Sequence, residues 1–152
     1  SKLPSIEETI ECVLSRILSE KIKIYGSGRT DAGVHALGQT FHFDTEKELD
    51  IFKISHSLNE LLPEDIRILS FSKVSDDFHA RFNANKKTYI YKIRNSKVSD
   101  PFKNDLEYTL SQKLDVEKMK EASKLFLGEH NFMNFTSKEE DENNYMVPAL
   151  IL

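Results

Sequence analysis

Ile6, Ile10, Val13, Leu14, Ile17 and Leu18 recur every three or four positions, the spacing that gathers side chains on one face of a helix. Ser5 followed by Glu8 has the pattern of a capping box just after Pro4, so a helix is predicted over residues 5–20. The period then shortens. Lys21–Tyr25 alternates with Ile22 and Ile24 on one side, and Gln39–Asp44 alternates with Phe41 and Phe43, so both read as strands. Helical spacing returns at Ile51, Ile54, Leu58, Leu61 and Leu62 and stops at Pro63. Ile66, Ile68 and Phe71 predict a further strand, and Lys87–Asn95 another. Asp115 is placed to cap a third helix carrying Val116, Met119, Ala122 and Phe126, which Gly128 would end in the left-handed conformation. The apolar stretch Tyr145–Leu152 reads as a last strand.

The order helix, strand, strand, helix, strand, strand, helix predicts an α+β domain with helices on one face of a mostly antiparallel sheet. Its 152 residues fit one domain with its own core, and a composition 39% hydrophobic and 30% charged is that of a folded chain. Both ends read as cut, because the first helix starts almost at once and the last strand has no continuation; a fragment is expected. No apolar run approaches the roughly 18 residues of a membrane span, and no basic-then-apolar leader opens the sequence, so no membrane is expected as a partner and the cytoplasm is the expected location. The single cysteine, Cys12, lies in the first predicted helix, where it is expected to pack; alone it allows neither a disulfide nor a multi-thiolate metal site.

A formal net charge of -4 argues against an indiscriminate nucleic-acid coat, but the charge is unevenly spread. From His79 to Lys103 stand Arg81, Lys86, Lys87, Lys92, Arg94, Lys97 and Lys103, interleaved with Phe82, Tyr89, Tyr91 and Phe102 and opposed only by Asp100. Such a stretch can meet a phosphate backbone, or it can be the solvated face of a strand pair.

Four of the five glycines fall in the segment between the first two predicted strands, Tyr25-Gly-Ser-Gly-Arg-Thr-Asp-Ala-Gly-Val-His-Ala-Leu-Gly-Gln39. Gly28 and Gly33 match the frame of a P-loop, but Val34 and His35 stand where lysine and a hydroxyl residue are required. A dinucleotide loop fails because Asp31 takes the third glycine position and a strand follows. A metal set of Asp31, His35, His42 and Asp44 would straddle a glycine-broken loop and both faces of a strand, so no metal is expected. What remains is one carboxylate, Asp31, with Arg29 two residues away. A guanidinium so close favours the ionised form that a nucleophile needs, and an Asp-turn beside a surface arginine is the structural alternative.

Gly28-Arg-Thr-Asp-Ala-Gly-Val-His35 with Gly38-Gln39 resembles the signature loop of the tRNA pseudouridine synthase A family. Further matches follow in order: Asn59 and Leu62-Pro63, Phe78-His-Ala-Arg-Phe82, Lys87-Thr-Tyr-Ile-Tyr91, and Leu127-Gly-Glu-His-Asn-Phe132 with Phe135. The resemblance implies a half of the pseudouridine synthase fold, ferredoxin-like or RRM-like, over residues 1–152, without the family's first strand and C-terminal half. It implies isomerisation of uridine to pseudouridine in the tRNA anticodon stem-loop, with Asp31 as the catalytic carboxylate and no cofactor. Arg29 would fill the stack vacated by the flipped uridine, and Tyr89 would pack on the uracil. His79, Arg81, Lys86 and Lys87 would contact the RNA backbone. Without the missing wall of the cleft the chain is expected to fold but to modify tRNA poorly. The alternative is a non-catalytic RNA-binding module. Its open strand edges predict a homodimer.

Overall fold

Ser5 begins the first helix as the pattern requires: its Oγ accepts from Glu8 N–H at 3.1 Å, and Glu8 Oε2 accepts from Ser5 N–H at 2.7 Å. In the computed structural model, which describes residues 4–135 and 147–149, this helix is α1, Ile6–Leu18. Ser19 ends it in the left-handed region with φ 49, and the N–H groups of Ser19 and Glu20 both donate to Ser15 O. The chain divides into two compact units, Ser1–Lys87 and Thr88–Leu152.

In the first unit, strands β1 (Tyr25–Gly26) and β2 (Phe41–His42) pair antiparallel with Tyr25 opposite His42. Helix α2, Ile51–Leu61, starts at Asp50, whose side chain accepts from Lys53 N–H, and ends before Pro63. The buried stripe Ile10, Leu14 and Leu18 of α1 meets Ile54 and Leu58 of α2, with Ile22, Ile24 and Leu62 completing the core. Leu14 and Leu58 are fully buried at its centre, and Phe41, Phe43, Ile66, Ile68 and Phe71 pack against it.

Hydrogen-bonded ladders are shorter than the alternation predicts. Ile22 N–H donates to Ser15 Oγ and Ile24 N–H to Glu11 Oε1, each at 2.9 Å, so α1 side chains occupy donors that a strand would use. Residues 66–71 form no ladder, and both backbone groups of Ile68 bind the Asn59 side chain of α2 instead.

The second unit contains β3 (Ile93–Asn95) parallel to β4 (Tyr108–Leu110), the eight-residue helix α3 (Val116–Ser123), and β5 (Gly128–His130) antiparallel to β6 (Val147–Ala149). Of the strand expected over Lys87–Asn95, only Ile93–Asn95 is paired. Asp115 caps α3 as expected, accepting from Lys118 N–H at 3.0 Å. Gly128 takes a positive φ of 97 but does not end the helix: α3 stops at Ser123, a 3-10 turn follows at Lys124–Phe126, and Gly128 opens β5. Phe126, Phe132 and Phe135 gather ring to ring at centroid distances of 5.7–6.2 Å.

The class is therefore α+β. Among the described residues the ladders are three separate two-stranded pairs, two antiparallel and one parallel. Cys12 is exposed on α1 and does not pack as expected. No helix among the described residues is long and apolar enough to cross a membrane. The acidic run Glu139–Glu142 and most of the expected strand Tyr145–Leu152 lie outside the described residues.

Candidate active site

The β1–β2 ladder carries the glycine-rich loop on its end. Ser27 N–H donates to Thr40 O at 2.8 Å and closes the loop's neck, and Gln39 Nε2 donates across it to Gly28 O. Between these ties the loop projects into solvent, and Arg29, Thr30 and Asp31 are exposed. Val34 N–H donates back to Asp31 O at 3.2 Å, closing a four-residue turn. Gly33 takes φ 83 at its third position, which a type II turn reserves for glycine. Asp31 thus heads a tight turn with its carboxylate open to an incoming group. Among the described residues neither Asp31 nor Arg29 forms an ion pair, so the expected contact between them is not made here.

Lys87 reaches the same loop. A Cβ on Gly28 would lie 2.6 Å from Lys87 Nζ and 3.5 Å from its Cε, so the absent side chain leaves room for this ammonium three residues from Asp31. Lys86 and Arg81 are exposed nearby in sequence.

His79 is drawn to the base of the loop through rings. Tyr25 and His42 stack at 5.1 Å and 23°, and His42 meets His79 at 4.6 Å and Phe78 at 6.0 Å. His79 in turn lies 4.3 Å from Phe82, and Lys23 Nζ stands 5.5 Å over the Tyr25 ring. The segment 78–83 is held by bonds of its own, from His79 N–H to Asn83 Oδ1 at 2.6 Å and from Arg81 N–H to His79 Nδ1 at 3.2 Å. The first unit therefore carries Asp31 and Arg29 on the loop, brings the Lys87 ammonium against Gly28, and sets the His79 ring beside Tyr25 and His42, with Arg81 in the same turn as His79.

Tyr89 belongs to the second unit and is 81% exposed, so its ring is open to solvent. The basic stretch loses one member there. Arg94 Nη2 pairs with Asp100 Oδ2 at 3.0 Å and its Nε bonds Glu107 Oε1, and the Glu107 bond holds the guanidinium pKa above its ordinary value. Its charge is spent within the fold. Three roles escape a sequence reading: that of Gln39, matched in the signature, as the loop tie, that of Tyr25 as a ring under the loop, and that of His42 as the link to His79. The sequence offers His42 only as a metal ligand, and the signal that could place it here is its position between Phe41 and Phe43, pointing away from the core side. Among the described residues no three His, Cys, Asp or Glu side chains converge as a metal site.

A family model described as tRNA pseudouridine synthase matches residues 2–83, more than half of the chain and the whole of the Asp31 loop. The chain is 43% identical over 133 residues to tRNA pseudouridine synthase A of Bacillus sp. strain KSM-64, covering 88% of this chain and 54% of that protein. It is 40% identical over 140 residues to a tRNA pseudouridine synthase A 2 of Bacillus cereus, covering 92% and 57%. Against tRNA pseudouridine synthase A of Listeria monocytogenes serotype 4a the identity is 40% over 141 residues, covering 92% and 57%. The chain spans a little over half the length of these relatives.

Proposed function

This chain belongs to the tRNA pseudouridine synthase family, and we propose that residues 1–152 form the Asp-bearing catalytic domain of an enzyme converting uridine to pseudouridine in the tRNA anticodon stem-loop. The observation that carries the reading is the turn headed by Asp31, tied at its neck and flanked by Lys87 and the His79–Arg81 segment. In the complete enzyme the α+β elements are read as half of a ferredoxin-like or RRM-like fold, with helices on one face of a mostly antiparallel sheet. A homodimer in the cytoplasm is its expected form.

The chemistry follows from the product. The glycosidic N1–C1′ bond breaks, the uracil turns, C5 bonds to C1′, and the C5 proton leaves while N1 gains one. Asp31 serves as the carboxylate, by attack at C1′ or C6 or as a base at C2′. The uridine must leave its stack, at a cost of a few kcal/mol, before those atoms are accessible. Arg29 fills the vacated stack, and Tyr89 offers a flat ring on which the freed base can turn. His79, Arg81, Lys86 and Lys87 take the backbone phosphates.

Exposure of Asp31 favours a second reading, a non-catalytic RNA-binding module, because a carboxylate open to water lacks the dry cleft this reaction needs. Tritium release from C5-labelled uridine in tRNA separates the two. Release that falls by roughly a thousandfold or more on Asp31→Asn, measured in a chain of the relatives' length, supports the enzyme. An undiminished rate would remove Asp31 from the chemistry.

A further inference from the structure

We infer that His42 is a positioning residue that holds the His79–Arg81 turn against the foot of the Asp31 loop; its effect on RNA binding rests on the proposed phosphate contacts of that turn. His42 is the ladder partner of Tyr25, so its backbone is fixed by the same pair of strands that carries the loop. Its ring stacks on Tyr25, and it meets the rings of Phe78 and His79 edge-on. Its Nδ1 accepts from Ala80 N–H at 3.2 Å. Among the described residues this is the one hydrogen bond joining 78–83 to the ladder, the others being local to the turn.

Two consecutive amides of the turn, Ala80 and Arg81, thus end on the Nδ1 atoms of two histidines, His42 and His79. An Nδ1 that accepts carries no proton, so a neutral His42 must hold its proton at Nε2. Ala80 is 3% exposed, and water is a poor substitute acceptor for an amide at so closed a position. Removing the acceptor therefore releases the turn from the loop while leaving its internal bonds intact. The ring contacts and the acceptor can be separated. His42→Phe keeps a flat ring against Tyr25 and loses the acceptor, whereas His42→Asn loses the ring and places an amide oxygen near the position of Nδ1.

The test reads two signals on the 152-residue chain: hydrogen exchange of the Ala80 amide, and affinity for an anticodon stem-loop RNA. Ala80 is expected to be protected in the wild type and in His42→Asn, and to exchange faster in His42→Phe. RNA affinity should fall about two- to tenfold in His42→Phe and recover in His42→Asn. The loss should shrink when His42→Phe is made on an Arg81→Ala background, because of the two phosphate contacts proposed for the turn only that of His79 then remains. Protection of Ala80 that survives His42→Phe, or an equal loss of affinity with and without Arg81, would overturn the inference. Should Arg81→Ala alone leave affinity unchanged, the phosphate contact proposed for Arg81 falls, and the Ala80 amide still decides whether His42 holds the turn.

Discussion

Asn59 on α2 takes both backbone groups of Ile68: its Oδ1 accepts from the Ile68 N–H at 2.8 Å, and its Nδ2 donates to the Ile68 carbonyl at 3.0 Å. One side chain thus makes the pair of bonds that a neighbouring strand would make. Asn59→Leu keeps the branched shape without its polar ends and strands both groups of a half-buried residue. Stability should fall by about 1–3 kcal/mol, read as a lower urea midpoint at unchanged slope. An unmoved midpoint would mean that water replaces both bonds.

Three helices were legible because each carries its own evidence: apolar residues at helical spacing, with a side-chain cap at Ser5 or Asp115 or a stop at Pro63. The strands were legible as extended segments but their partners were not. Alternation at Ile22 and Ile24 reports which face is buried and is silent on what binds the backbone, which here is Glu11 and Ser15 of α1. The same limit applies to the site. Asp31 stands out because glycines and charge crowd one loop, whereas His42 depends on Ala80, an amide 38 residues away.

Glu11 and Ser15 stand one turn apart on α1, and their acceptors meet alternate amides of the extended segment at Ile22 and Ile24. Glu11→Ala and Ser15→Ala should each cost about 1 kcal/mol and together should loosen residues 21–25. Faster amide exchange at Ile22 and Ile24, with α2 unaffected, is the expected result. Unchanged exchange would assign the order of the segment to its buried isoleucines alone.

Asp50 supplies a dependence on pH. The Lys53 N–H bond to its carboxylate, 3.1 Å long, lowers its pKa in the folded chain from the ordinary 3.8. A depressed carboxyl stabilises the fold above the unfolded value, and that contribution is lost as pH falls through the folded one. Wild type should therefore lose stability relative to Asp50→Asn between about pH 5 and about pH 2. Parallel urea midpoints over that range would show that the cap contributes nothing through its charge.

Arg94 and the cluster Arg81, Lys86 and Lys87 should differ in their response to salt. Each phosphate contact removed lowers the slope of log affinity against log salt by about 0.7–0.9. Replacing Arg81, Lys86 and Lys87 by alanine should flatten the slope for stem-loop RNA. Arg94→Ala should leave it unchanged and instead destabilise the fold, because it leaves Asp100 and Glu107 without their cation. A slope that flattens equally in both would return Arg94 to the RNA-facing set.

Gly28 allows the approach of Lys87 to be tested without touching either charge in the loop. Its φ is not positive, so alanine fits the backbone, and the lost chain freedom of the unfolded state should make Gly28→Ala neutral or slightly stabilising. The new methyl would stand 2.6 Å from Lys87 Nζ, closer than contact permits. The obstructed atom is the tip of a flexible four-carbon chain, so the ammonium moves and the backbone stays. With Lys87 placed to meet phosphate, Gly28→Ala should weaken binding to stem-loop RNA several-fold, about as much as Lys87→Ala does. The double variant should bind no more weakly than either single one, since both remove the same contact. Additive losses would show that the methyl disturbs the loop itself, and unchanged affinity in Gly28→Ala would show that the space above Gly28 does not set where Lys87 acts.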